Sequence, residues 1–146
     1  MKIVICSSVS FAEKIMEAKE YLERKGVKAV IPHGLEDYLN DPALKQRASG
    51  WGTLEGAERK MKNNLIKSYY DEIASSNGIL VINQDKMGIQ NYLGGNSFLE
   101  MGFAHVLDKP IYLLNPIPTE LKVFHQEIVA MRPIVLDGDF SKISLL

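Results

Sequence analysis

The sequence predicts an α/β protein, a three-layer Rossmann-like or flavodoxin-like sandwich around a parallel five-stranded sheet, and three observations carry that prediction. Apolar runs of strand length alternate with longer segments of helical period, the pattern of parallel strands joined by crossover helices. The 146 residues, 46% hydrophobic and 24% charged, are ordinary globular values, and a chain of this length buries about two thirds of its unfolded surface. No internal repeat, linker or low-complexity segment divides it, so residues 1–146 read as a single domain.

The first strand is Lys2 to Cys6. Ser10-Phe11-Ala12-Glu13 then opens a helix as a capping box, in which Ser10 and Glu13 satisfy each other's free backbone amides. Ala12, Ile15, Met16, Tyr21 and Leu22 form its apolar stripe, and Arg24-Lys25-Gly26 ends it with cations and a left-handed cap. Strand two is Val27 to Ile31, stopped by Pro32-His33-Gly34. Leu35 to Gly52 reads as a long loop with one helical turn at Pro42 to Arg47; loops of this length are usually functional. A helix follows from Leu54 to Ser75, with Leu54, Ala57, Met61, Leu65, Ile66 and Ile73 toward the core. Strand three is Gly78 to Asn83, and after a polar loop a helix runs from Asn96 to Leu107. Strand four is Pro110 to Leu114. A Pro-rich turn leads to a short helix carrying Leu121, Phe124 and Ile128, and Pro133 to Leu136 makes strand five.

Several functions are excluded or disfavoured. A net charge of -1 supplies no cationic face for nucleic acid, and the longest apolar runs fall far short of the roughly 20 residues of a membrane span. Met1 to Cys6 lacks the apolar segment of a signal peptide, and the lone Cys6 suits a small buried hydrophobe in a reducing cytoplasm. No spacing among Cys6 and the three histidines suggests a metal, and neither GxGxxG nor GxxxxGK[ST] occurs, so no cofactor is expected. A small-molecule ligand fits best.

In an open parallel sheet such a ligand binds outside the carboxyl ends of the strands, where strand order reverses. That rule selects Ser7, Ser8 and Ser10 after strand one, His33 and Gly34 after strand two, Asn83 to Glu100 after strand three, and Asn115 after strand four. The helix from Asn96 is apolar nearly all round except for Glu100, which shares a face with Asn96 and Ser97. Burial raises the pKa of such a carboxyl while a helix N-terminus lowers it, and this competition can tune a catalytic acid. Gly94-Gly95 either brings backbone amides close to a ligand or forms a tight turn, and Glu100 either reacts or pairs with a distant cation.

The run Ser76-Asn77-Gly78-Ile79-Leu80-Val81-Ile82-Asn83, a glycine-containing loop, and Glu100-Met101-Gly102-Phe103-Ala104 together resemble the nucleoside 2-deoxyribosyltransferase family. The likeness extends to 2'-deoxynucleoside 5'-phosphate N-hydrolases. It implies that Glu100 attacks the anomeric carbon of a (deoxy)nucleoside or nucleoside 5'-monophosphate, giving base exchange or hydrolysis. It implies a sugar-contacting role for Asn77, where the family carries Asp, with Asp85 or Asp71 as the carboxyl that could substitute. Ser7, Ser8, Gly94 and Gly95 become candidates for phosphate, Asn96 and Ser97 for orienting Glu100 or the sugar, and Trp51 or Tyr92 for stacking on the base. The family habit implies a homodimer. The alternative is a nucleotide-binding module without turnover, suggested by Asn at position 77.

Overall fold

In the computed structural model, which describes residues 1–43 and 54–145, the strands are β1 (Lys2–Ser7), β2 (Lys28–Val30), β3 (Gly78–Ile82), β4 (Ile111–Leu113) and β5 (Ile134–Val135). They form one sheet in the order β2-β1-β3-β4-β5, and every neighbouring pair is parallel. The helices are α1 (Ala12–Arg24), α2 (Leu35–Asn40), α3 (Leu54–Lys62), α4 (Leu65–Ala74), α5 (Gly95–Val106) and α6 (His125–Ala130).

Side chains alternate across a strand, and here both faces are apolar, as a sheet covered on both sides requires. Ile3, Ile5, Leu80, Ile82 and Tyr112 pack on one face with Ala12, Ile15, Ala18 and Leu22 of α1 and Leu35 of α2. Val4, Cys6, Ile79, Val81 and Leu113 pack on the other with Tyr69 and Ile73 of α4, Met101 and Ala104 of α5, and Ile128 of α6. The result is the expected three-layer sandwich. Each fully buried aliphatic side chain contributes roughly 1.5–3 kcal/mol, so these two cores anchor the loops that leave the sheet's carboxyl edge. The chain steps from β1 outward to β2 and from β3 outward to β4, which makes the crevice between β1 and β3 the point where strand order reverses.

Several elements differ from expectation. The single helix from Leu54 to Ser75 is two, because Asn63-Asn64 interrupts it and Asn64 adopts a left-handed φ of 49°. Asparagine tolerates that conformation better than other residues with a side chain. On either side of the break Met61 of α3 and Ile66 of α4 are 72% and 45% exposed, and Ala57 lies on the surface, so none of the three faces the core as expected. The start of the long loop is helical instead, since Gly34 at a φ of 76° turns the chain into α2. Only Pro42 and Ala43 of the turn expected at Pro42–Arg47 lie within the described residues. Ser10 does not cap α1: a 3-10 turn at Val9–Phe11 intervenes, its cap is Ser8, and α1 begins after Phe11 without a side-chain cap.

Candidate active site

Glu100 sits on the second turn of α5, and the helix exists there because Gly94 ends the polar loop in extended conformation and an apolar face follows. That face buries Met101 and Ala104 completely and takes Glu100 in with them, leaving it 4% exposed. Asn96, one turn earlier, donates from Nδ2 to Glu100 Oε1 at 2.8 Å. Among the described residues Oε2 accepts no hydrogen bond of ordinary length, and only the Cys6 thiol offers it a weak donor. The Cys6 thiol of β1 adjoins the carboxyl, and each affects the other's ionisation. Beside them the Tyr69 hydroxyl donates to the Ile5 carbonyl at 2.6 Å.

Burial pushes the Glu100 pKa up to about 8, while Cys6, the Lys60 charge on α3 and Asn96 hold it down in part. At pH 7 the neutral form of the carboxyl is therefore favoured. Burial likewise raises the Cys6 thiol and the Tyr69 phenol, and the Glu100 charge adds to both shifts. A buried carboxylate oxygen without a strong donor costs stability, and burial therefore favours the protonated form.

The loop after β1 lies at the same end of the sheet. Ser7 Oγ donates to the Ile82 carbonyl at 3.3 Å, tying β1 to β3. Ser8 Oγ and Ser10 Oγ are 2.7 Å apart. Lys86, from the loop after β3, donates from Nζ to Ser8 Oγ at 3.1 Å.

Asn83 and Asn115 close the edge between β3 and β4. The Asn115 amide donates to Asn83 Oδ1 at 2.8 Å, Asn115 Nδ2 donates to the Asn83 carbonyl at 2.7 Å, and Asn83 Nδ2 reaches the Asn115 and Pro116 carbonyls at 3.1 Å. Asn115 forms part of an open cleft of about 490 Å³ with Phe11, Gln84, Asp85, Gln90 and Asn91. Asp85 in that cleft accepts the Asn91 amide at 2.9 Å, which shapes the loop. Glu100 is not among the residues lining this cleft.

Solved structures resemble the chain over most of its length. A 2-deoxyribosyltransferase from the psychrotolerant bacterium Bacillus psychrosaccharolyticus matches with a TM-score of 0.50 and 21% identity, covering 80% of this chain and 73% of the other. The CMP N-glycosidase BcmB of Clostridium botulinum matches with a TM-score of 0.50 and 14% identity, covering 94% and 89%. The chain has the fold of these two enzymes. No protein-family model matches the sequence, and no curated protein does.

Within this fold the expected residues divide into three groups. Glu100, Asn96 and Ser97 come together on α5, with Ser97 3% exposed one turn before the carboxyl, and Gly94 and Gly95 lead into them. Ser7, Ser8, Ser10, Asp85 and Asn115 lie at the carboxyl edge, on the loops beyond β1, β3 and β4. His33 lies on the loop beyond β2 at that same edge, whereas Asn77 stands elsewhere. Asn77 precedes β3 at the opposite edge of the sheet, where its Oδ1 accepts the Lys2 amide at 2.8 Å. Asn77 therefore does not share an edge with the loops after β1, β3 and β4. His33 is exposed. Tyr92 is only 5% exposed and packs in the α1-side core, so its ring is not an open stacking face. Trp51 lies outside the described residues.

Sequence reasoning missed Cys6 and Tyr69 as neighbours of Glu100, because each reads as an ordinary apolar core position. Lys86 falls within the selected range Asn83 to Glu100 but was not singled out. A signal existed for it, a lysine in a polar loop facing the serines across the β1–β3 crevice, but only the strand order brings the two loops together. Among the described residues no group of three or more His, Cys, Asp or Glu is placed to hold a metal ion, and no helix is long and apolar enough to cross a membrane.

Proposed function

We propose that this protein cleaves or exchanges the N-glycosidic bond of a (deoxy)nucleoside or nucleoside 5'-monophosphate, with Glu100 as the nucleophile. The observation that carries this is Oε2 of Glu100, buried and, among the described residues, without a donor at ordinary hydrogen-bond distance beyond the weak Cys6 thiol, on a helix that opens at the carboxyl edge of the sheet. The fold shared with a 2-deoxyribosyltransferase and a CMP N-glycosidase supports the substrate class.

In this mechanism Oε2 attacks C1' as the C1'–N bond breaks, and the base leaves with the bonding electrons and takes up a proton. A glycosyl ester of Glu100 results. Water, or a second base, then attacks C1' from the other face and releases the carboxylate, so configuration at C1' is retained. Asn96 holds Oε1 throughout, which fixes the carboxyl and leaves Oε2 to react. Positive charge developing on the sugar stabilises the ionised carboxyl and draws the Glu100 pKa down from its value in the free protein. Gly95 offers room for this approach: a Cβ built there meets no atom within 4 Å, so packing does not account for glycine at that position.

The raised pKa of Glu100 favours one other reading, a nucleotide-binding protein without turnover, in which the neutral carboxyl only donates a hydrogen bond. Incubation with a panel of deoxynucleosides, ribonucleosides and their 5'-monophosphates separates the two. Release of free base from at least one, falling at least about 1,000-fold in Glu100→Ala, is the expected result. Binding without release in every case, or release unchanged by the substitution, would exclude Glu100 as nucleophile.

A further inference from the structure

Cys6 is the one cysteine of the chain and stands next to last in β1, where the strand reaches the carboxyl edge of the sheet. Alternation along β1 puts Val4 and Cys6 on the face covered by α4 and α5, while Ile3 and Ile5 face the other layer. The thiol is fully buried there, against the helix that carries Glu100. Its other acceptor, the Val4 carbonyl, is 4.0 Å from Sγ, a weak contact. At the Glu100 carboxyl, Asn96 Nδ2 donates to Oε1, which makes Oε1 an acceptor and leaves Oε2 to carry the proton of the neutral acid. Oε2 and the thiol are thus two buried polar groups that meet each other, neither with a strong partner elsewhere among the described residues.

The pairing works in both protonation states. In the neutral acid the Oε2 proton points at sulfur, a weak acceptor; once Glu100 ionises, the S–H turns and donates to Oε2. An apolar side chain would fill the core as well but leave the ionised oxygen with no donor. A hydroxyl would donate more strongly and hold the oxygen, whereas a thiol gives it up at little cost when an electrophilic carbon approaches. The backbone around the thiol is fixed on both sides. Tyr69 of α4 donates to the Ile5 carbonyl at 2.6 Å, and Ser7 Oγ donates to the Ile82 carbonyl at 3.3 Å. Among the described residues, the titratable groups coupled to Glu100 are Cys6 from β1, Tyr69 from α4 and Lys60 from α3, and of these the thiol is the one hydrogen-bonded to the carboxyl.

We propose that Cys6 is a positioning residue for Glu100: its thiol holds Oε2 in the resting site, donates to it when the carboxyl ionises, and releases it to C1'. This rests on the reading of Glu100 as the nucleophile. The thiol keeps its own proton throughout, so it is neither the acid nor the base of the reaction, and the bonds made and broken remain those of glycosyl transfer to Oε2. Donation to the charged form favours that form, so loss of the thiol raises the Glu100 pKa and moves the acid limb of kcat/KM to higher pH. A net hydrogen bond of this kind corresponds to about half to one pH unit.

The test measures the pH profile of base release in the wild type, Cys6→Ala and Cys6→Ser, and the infrared S–H stretching band of the wild type and Glu100→Gln. Cys6→Ala should move the acid limb up by about half to one pH unit, and so lose more rate near pH 7 than near pH 9. Cys6→Ser, which restores a donor, should bring the limb back to the wild-type position or below it. An unmoved limb in Cys6→Ala, with rate lost equally at every pH, would mark Cys6 as core packing and overturn the proposal. The S–H band needs neither turnover nor a core substitution, and with one cysteine in the chain its assignment is unambiguous. It should move to lower frequency as pH rises through about 8 in the wild type and stay fixed in Glu100→Gln. A wild-type band that does not respond to pH overturns the proposal even where the Cys6 variants fail to fold, and it leaves the Glu100 reaction standing if base release still depends on Glu100. If no substrate releases base while the band follows Glu100, the hold of Cys6 on Oε2 is sustained and the nucleophile reading falls.

Discussion

Glu100 ties function to stability through one proton. Its folded pKa of about 8 lies above the ordinary carboxyl value of 4.5, so between those pH values the folded protein holds a proton that the unfolded chain has lost. Stability therefore falls as pH rises through that window, and below it the group has no effect, because both states are protonated. Glutamine has nearly the same shape and cannot ionise. Glu100→Gln is expected to melt higher than the wild type at pH 8, by an amount on the order of a few kcal/mol, and to lose that advantage near pH 4. Calorimetry at the two pH values checks it. A variant that is both inactive and more stable at pH 8 identifies a residue kept for chemistry, whereas a structural ion pair would give the opposite sign. The sequence showed Glu100 as one carboxylate on an apolar helix, and Asn96 and Ser97 as its companions one turn away. It could not show the neighbours contributed by other elements: Cys6 and Tyr69 look like core residues because by burial they are core residues, 0% and 7% exposed.

At the scale of elements, strand runs and crossover order were legible because a sheet buried on both faces demands continuous apolar strands. What the pattern hid were local backbone choices. The Asn63-Asn64 break and the 3-10 turn before α1 depend on left-handed or tight conformations that hydrophobic periodicity does not encode. The polar hinge between β3 and β4 was hidden too, since Asn83 looks like the end of a strand and proves to be fully buried. Its side chain serves backbone groups of the Asn115–Pro116 turn, so Asn83→Ala leaves several of them without partners. A loss of about 2–4 kcal/mol is expected by denaturant titration. Gly95 gives the complementary case. Gly95→Ala fills open space at the first position of α5, so stability should stay level or rise by up to about 1 kcal/mol. Base release should fall if the ligand approaches there, a split that comparison of melting with turnover reads directly.

For the whole molecule, the strand order β2-β1-β3-β4-β5 explains why residues far apart in sequence share one edge. The crossovers leave β1 and β3 in opposite directions, so their loops face each other over the crevice, and α5 descends from it with Glu100 on its inner side. Asn77 shows the converse. It is one residue from β3 yet at the wrong end of it, a distinction invisible to motif spacing and decided by the direction of a parallel strand. The central claim is that the Glu100 carboxylate attacks carbon, and the pH dependence of base release tests it most directly. If the ionised form is the nucleophile, kcat/KM on a substrate that does not titrate in this range rises about tenfold per pH unit below the Glu100 pKa and levels off above about 8. A rate that falls as pH passes 8 would instead make Glu100 a proton donor and contradict the account.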